Sequence, residues 1–301
     1  MKNIAICYSE HAVKVSDSYC SGASNPADVS IPNAVTSVYR VELATKKHLL
    51  ISLTWRDNQL RSNHLFSVNI FENEDDSFSG STKFSKIFGA PRGAKLYELN
   101  NGLKIEVVWD LSRAEYESRP EPITGFYVMI LVDSQPGLIL GDVEGEPEAR
   151  KRVSDCRASP EFWLVSRGEY FSGEGLYSAK VRFCETGIYH DILVKLCGED
   201  RVLSVYVDRK SVVEVRRLRW NFRGNATVFL DGVLVDLLWD VHDWLFEFGP
   251  RGKGYGAVFV FRRRRGSDSR LWLEDKCKSF EEGEREKGGF SFVICASRNP
   301  G

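Results

Sequence analysis

The 301-residue sequence predicts an all-β, antiparallel fold built from an internally duplicated strand unit, and three observations carry that expectation. Its 18 Phe, 11 Tyr and 7 Trp against only 2 Met favour pleated, half-buried surfaces over helices. Short apolar or alternating runs follow one another, each bounded by turn chemistry. The third observation is a gap-free match of Asn101-Gly-Leu-Lys-Ile-Glu-Val-Val-Trp-Asp-Leu111 to Asp231-Gly-Val-Leu-Val-Asp-Leu-Leu-Trp-Asp-Val241, which pairs Gly102 with Gly232, Trp109 with Trp239 and Asp110 with Asp240.

Taken in order, residues 1–33 form a lead-in whose Ser-, Asn-, Pro- and Gly-rich end reads as irregular. The first β repeat, 34–141, holds runs at 35–44, 48–55, 65–72, 94–99, 103–109 and 124–133. Asn101-Gly102, between two of these runs, is a hairpin signal because both residues tolerate positive φ. A connector at 142–160 carries the one helical composition in mid-chain, Glu144–Asp155, with Pro147 suited to a first turn. The second repeat, 161–264, resumes with runs at 161–171, 176–184, 189–197, 202–208, 211–222, 225–230, 233–239 and 255–263. A charged loop and a final strand at 289–296 fill 265–301. Duplicated antiparallel units bury their apolar faces against each other, so the expected architecture is two packed barrel-like halves or one large β-sandwich, with one short connecting helix.

A net charge of −1 and a pI near 6.6 argue against whole-surface attraction to nucleic acid. The seven cysteines, Cys7, Cys20, Cys156, Cys184, Cys197, Cys277 and Cys295, are scattered in no metal-ligand spacing and read as reduced thiols. The first fifteen residues lack a signal-peptide apolar run, and no stretch approaches the ~20 apolar residues that cross a bilayer. A cytoplasmic location, with peripheral membrane contact left open, is the resulting expectation.

Several stretches together resemble a plant-specific family catalogued as domain of unknown function 868. They are Val15–Cys20, Trp109-Asp-Leu-Ser, Pro120-Glu-Pro with Gly125-Phe-Tyr-Val, Leu140-Gly-Asp, Tyr177-Ser-Ala-Lys, Arg217–Asn225 and Leu238–Phe246. The resemblance implies a plant source and no established activity. Residues 78–93 look shorter than the family pattern, and 274–288 is an unusual run of Glu and Lys.

Among candidate site residues, strand alternation puts Trp109 and Trp239 on apolar faces, as repeat anchors, with Asp110 and Asp240 at strand ends where a carboxylate can accept turn N–H groups. The alternative for the two Asp is a carboxylate pair for acid/base chemistry or a metal. Asp240, His242 and Asp243 cluster, and His190-Asp191 sets a second imidazole beside a carboxylate. Neither has the three or more spaced ligands of a zinc or iron site, so no metal and no cofactor are expected. No hydrolase or phosphate-loop motif occurs, and glycine-rich 249–256 precedes no helix. In Arg217–Arg223, read as a strand, Leu218, Trp220 and Phe222 share a packing face, while Arg217, Arg219 and Asn221 share a polar one. Arg217, Arg219 and Arg223, and the run Arg262, Arg263, Arg264 and Arg265, are the candidate contacts for phosphates, carboxylates or an anionic membrane.

The leading functional expectation is a non-enzymatic binding or scaffold protein with an unidentified protein partner. The alternatives are a small-molecule or lipid carrier with an apolar β-barrel cavity, and a hydrolase-like enzyme using Asp110, Asp240, His242 or His190.

Overall fold

The computed structural model describes residues 30–58, 63–72, 82–99, 102–143, 145–154, 161–173, 175–184, 187–197, 202–246, 256–264 and 289–297. Cys7, Cys20, Cys156, Cys277, Asn101, Arg265, most of the 249–256 loop and the acidic 281–286 stretch lie outside them. The chain divides into an N-terminal unit, Pro32–Glu169, and a C-terminal unit, Met1–Ile31 with Tyr170–Gly301.

In the N-terminal unit, β1 (Pro32–Glu42), β2 (His48–Asn58), β3 (Asn63–Glu72) and β4 (Thr82–Phe88) form an antiparallel meander, flanked at β1 by β11 (Glu161–Ser172). A second sheet holds β5 (Arg92–Glu98), β6 (Lys104–Asp110), β9 (Tyr127–Val132) and β10 (Gln135–Gly141) in the order β10-β9-β6-β5. Alternation then does what period-2 chains must: Leu49, Ile51, Leu53 and Trp55 of β2 face Ile105, Val107 and Trp109 of β6 across one apolar core. That core is filled by rings, with Phe66–Phe88 at 4.9 Å and Phe88–Trp109 at 4.8 Å between centroids. On the other side of the second sheet, Val108, Tyr127, Met129 and Leu131 pack with Ala149 of α1 (Pro147–Ser154). Between β6 and β9 a small hairpin, β7 (Glu115–Tyr116) and β8 (Pro122–Thr124), is held by the Tyr116 ring stacked on His64 at 3.6 Å.

The C-terminal unit has a meander of β12 (Leu176–Val181), β13 (His190–Cys197), β14 (Val202–Val207) and β15 (Lys210–Val215). Its second sheet is β16 (Arg223–Leu230), β17 (Val233–Asp240), β18 (Ala257–Arg263) and β19 (Ser291–Ser297), with Tyr170–Ser172 at the end of β11 beside β19. Tyr177, Val194, Val205 and Val213 meet Leu237, Trp239, Phe259 and Phe261 in the core. Two tight turns close hairpins with consecutive positive φ: Asp208-Arg209 (50° and 66°) and Asp231-Gly232 (48° and 80°). That is the twist-matched geometry expected of two-residue β-hairpins.

Three sequence expectations change. Among the described residues no sheet closes into a barrel, because β4 and β5 are consecutive in the chain yet end different sheets, so each unit is an open two-sheet sandwich. Among the described residues there are two short helices instead of one: α2 (His242–Phe246) follows Asp240 and buries Trp244 and Leu245. The third change concerns 211–222, which is strand only to Val215. Arg217 sits at φ 52°, outside the β region, and turns the chain, so Leu218 is buried while Trp220 is 82 % exposed. No helix among the described residues is long and apolar enough to cross a membrane.

Candidate functional site

The turn between β15 and β16, residues 216–222, gathers the most unusual surface chemistry. Arg216 Nε donates to Glu214 Oε1 at 2.7 Å, and Asn221 Nδ2 donates to the Arg216 carbonyl at 3.0 Å. The Trp220 backbone N–H donates to the Arg217 carbonyl at 2.9 Å. Leu218 points inward at 1 % exposure and joins the apolar core. The far end is stapled by the Trp239 indole, whose Nε1 donates to Asn221 O at 3.1 Å, and by Val241 N donating to Phe222 O at 2.9 Å. So fastened, the turn leaves Trp220 as the most exposed large apolar side chain among the described residues, with Arg217 and Arg219 also exposed.

Arg223, at the foot of the turn, donates through Nε to Asp240 Oδ2 at 2.7 Å and lies over the Phe222 ring. Phe222 packs edge-on against His242 (5.3 Å) and against Phe246 (5.9 Å). Asp240 Oδ1 accepts the His242 backbone N–H at 3.0 Å, and His242 Nδ1 pairs with Asp243 Oδ1 at 2.8 Å. In the N-terminal unit Asp110 Oδ1 likewise accepts Ser112 N at 2.8 Å. Both aspartates stand at strand ends holding turns, and their neighbouring indoles are buried: Trp109 is 2 % exposed and Trp239 3 %.

The equivalent connection in the N-terminal unit is much shorter. Trp109 Nε1 donates to Ala90 O at 2.8 Å and Leu111 N donates to Pro91 O, with Gly89 alone between Phe88 of β4 and Ala90. Both registers are the same at this point, Gly93 opposite Trp109 with Arg92 opposite Asp110, and Gly224 opposite Trp239 with Arg223 opposite Asp240. Five residues, Arg216–Trp220, therefore occupy the place that one glycine fills in the other unit.

Residues 262–264 are engaged differently. Arg264 Nε donates to Asp236 Oδ2 at 3.1 Å and Nη2 donates to Thr227 Oγ1, while Arg262 approaches Asp236 at 4.0 Å. Burial alone would raise the Asp236 carboxyl, yet the bonds from Arg264 and Thr227 hold it below its ordinary value. Arg263, half-buried, has its own interactions. Arg264, and more distantly Arg262, thus pair with a carboxylate of their own sheet.

Two charged clusters escaped the sequence reading. In the N-terminal unit Glu169, fully buried, accepts through Oε1 from both Arg119 and Arg167, and Arg167 reaches back to Glu121 Oε1 and Oε2 at 3.1 and 2.6 Å. Burial pushes the Glu169 carboxyl up against the pull of the two guanidiniums. Neighbouring Tyr39 is pushed up to about 12, first by burial and then by the Glu121 charge. The network pins the 112–126 segment onto β11. In the C-terminal unit buried His190 bridges Asp208 and Asp231, not the adjacent Asp191. Asp191 stands on the opposite strand face, exposed, 3.8 Å from Lys180. Among the described residues no group of three or more His, Cys, Asp or Glu side chains is arranged to hold a metal ion.

No curated protein matches the sequence. Among solved structures, kievitone hydratase from Nectria haematococca aligns over 80% of this chain and 88% of that chain, at 7% identity and a TM-score of 0.28. A likeness so slight bears on neither fold nor chemistry. Residues 30–298, nearly all of the two sandwiches, match the family model described as plant protein of unknown function (DUF868), and the chain belongs to that family.

Proposed function

We propose that the chain is a non-enzymatic binding protein whose contact site is the 216–222 turn and whose partner is a protein presenting acidic side chains. The observation that carries this reading is a firmly anchored turn holding Trp220 82 % exposed beside Arg217 and Arg219. A fold gains nothing by keeping an indole in water, since burying a large apolar side chain yields about 1.5–3 kcal/mol. Trp and Arg are also the residues that most often dominate protein–protein contacts, the indole filling a pocket and the guanidinium pairing bidentately with carboxylates. The shorter connection in the N-terminal unit makes the same indole-to-carbonyl bond without these residues, so the fold does not require them.

The same comparison supports reading the two units as diverged copies. Each is a four-strand meander facing a second four-strand sheet, with matching Gly–Trp and Arg–Asp pairs. The local engagement of Asp110, Asp240 and His242 in turns and neighbour pairs supports a binding role over an Asp/His enzyme.

Capture from plant tissue extract with the full chain as bait, quantified against Trp220→Ala and Arg219→Glu baits, tests the proposal. Both variants should fold as the parent does and lose a common set of captured proteins. An identical set from all three baits would remove the turn as the contact site.

A further inference from the structure

At the opposite end of β15 and β16 from the arginine-bearing turn, three chain reversals of the C-terminal unit converge on one imidazole. His190, 4 % exposed, opens β13. Its Nδ1 lies 2.7 Å from Asp208 Oδ2, on the β14–β15 hairpin tip, in a hydrogen bond, and its buried Nε2 lies 3.1 Å from Asp231 Oδ2, on the β16–β17 tip, an ion-pair approach not aligned as a hydrogen bond. Those hairpins belong to different sheets of the sandwich, so the ring joins one sheet to the other. The remaining carboxylate capacity is directed at the backbone around His190: Asp208 Oδ1 accepts Asp191 N at 2.9 Å and Asp231 Oδ2 accepts Ile188 N at 2.9 Å.

We infer that His190 is a proton-operated latch that fastens the Gly187–Asp191 segment and both hairpin tips when doubly protonated and releases the segment when it loses a proton. The chemistry follows from counting donors. An imidazolium has two N–H groups, one for each aspartate, whereas neutral imidazole has one, and its bare nitrogen then faces a carboxylate oxygen across a buried gap. The shorter contact, to Asp208, keeps the remaining hydrogen. The contact to Asp231 becomes repulsive, and Asp231 is also the acceptor for Ile188 N.

The other charged groups nearby do not replace this pairing. Asp191 is turned toward Lys180, the Arg182 guanidinium covers the Tyr189 ring at 5.3 Å, and Arg209, next to Asp208 in its turn, is exposed. The buried Phe183 ring, 6.3 Å from the imidazole, closes the apolar side. Space on the remaining side is tight: a Cβ at Gly187 would come within 2.6 Å of both Asp231 Oδ2 and Cys184 Sγ. Burial by itself lowers the imidazole, but its pairing with the Asp208 and Asp231 carboxylates outweighs burial and sets it above its ordinary value. The latch is thus closed at and below the ordinary imidazole value and opens as pH rises through the higher folded value. What it releases is Ile188 and Tyr189, an apolar pair already 64 % and 59 % exposed.

The test is a pH titration of the full chain by NMR, with the His190 ring resonance assigned among five histidines by its loss in His190→Gln. The ring should titrate above the ordinary histidine value. Exchange of the Ile188 amide, corrected for its intrinsic pH dependence, should climb by up to about tenfold per pH unit through that window. In Asp231→Asn the titration should fall back and the climb flatten, even if His190→Gln loosens the unit at every pH. A ring that titrates at or below the ordinary value, or corrected Ile188 exchange that is flat with pH in the parent chain, overturns the inference.

Discussion

Gly224 lies across the strand pair from Trp239, and a Cβ added there would stand 2.2 Å from the indole Cζ2 and 2.8 Å from Cε2 and Cη2. Carbon atoms in contact prefer about 3.5–4.0 Å, so Gly224→Ala forces the ring back by more than about 1 Å. The ring has nowhere to go: it is 3 % exposed and its Nε1 is tied to Asn221 O. Overpacking of this kind costs about 1–3 kcal/mol, and the lost chain entropy of glycine returns about 0.4–1 kcal/mol, leaving a net destabilisation of about 1–2 kcal/mol. The matched position in the other unit is milder, since a Cβ at Gly93 would come no closer than 2.7 Å to Trp109, and Gly93→Ala should cost about half as much. Trp239→Phe removes the clashing atoms, so the double variant Gly224→Ala/Trp239→Phe should be less destabilised than the two single losses added, by about 1–2 kcal/mol. Urea unfolding followed by far-UV circular dichroism reads all four chains. Strict additivity, or a Gly224→Ala chain as stable as the parent, would refute the packing argument.

Glu169→Gln leaves Arg119 and Arg167 without their shared buried carboxylate and should lower the urea stability of the chain by about 3 kcal/mol or more; a loss under about 1 kcal/mol would mean the network is solvated. Asp236, held below its ordinary carboxyl value chiefly by Arg264 once the opposing effect of burial is overcome, contributes stability that is present above the unfolded carboxyl value and lost as pH falls through the folded one. Acid unfolding of Asp236→Asn should show a smaller loss over that low-pH window than the parent does. Gly232→Ala, at φ 80° with no atom within 4 Å of the added carbon, isolates backbone strain and should cost about 1–2 kcal/mol by thermal or urea unfolding. Burial pushes the Cys295 thiol up to about 11, so at pH 8 iodoacetamide should label half-buried Cys184 well before Cys295 in the folded chain.

Features encoded by neighbouring residues were legible in the sequence. The tight turn at Asp231-Gly232 stands where the sequence match placed the counterpart of the Asn101-Gly102 hairpin signal, and the burial of Trp109 and Trp239 follows from period-2 alternation along β6 and β17. Alternation misled at Arg217–Phe222, where R-L-R-W-N-F has the polarity of a strand but Arg217 takes a left-handed conformation that puts Leu218 and Trp220 in opposite environments. The Glu169 network and the His190 bridge were invisible for a different reason. Glu169 meets Arg119 fifty positions away, and His190 meets Asp208 and Asp231 from separate hairpins. Nothing local marks such partners, and the carboxylate next in sequence to His190 is turned to the other side of its strand.

The two hairpin tips of the C-terminal unit solve one backbone problem with different residues. Both begin with an aspartate whose carboxylate caps a neighbouring strand, but the second position is Gly232 in one and Arg209, at φ 66°, in the other. Arginine there carries the left-handed penalty of about 1–2 kcal/mol, which exceeds the roughly 0.4–1 kcal/mol of chain entropy a glycine costs, so Arg209 is the natural place for a glycine, and the protein retains headroom for thermal adaptation in a single codon. A lineage, or a protein engineer, could raise its melting temperature there while leaving the arginine-bearing turn untouched.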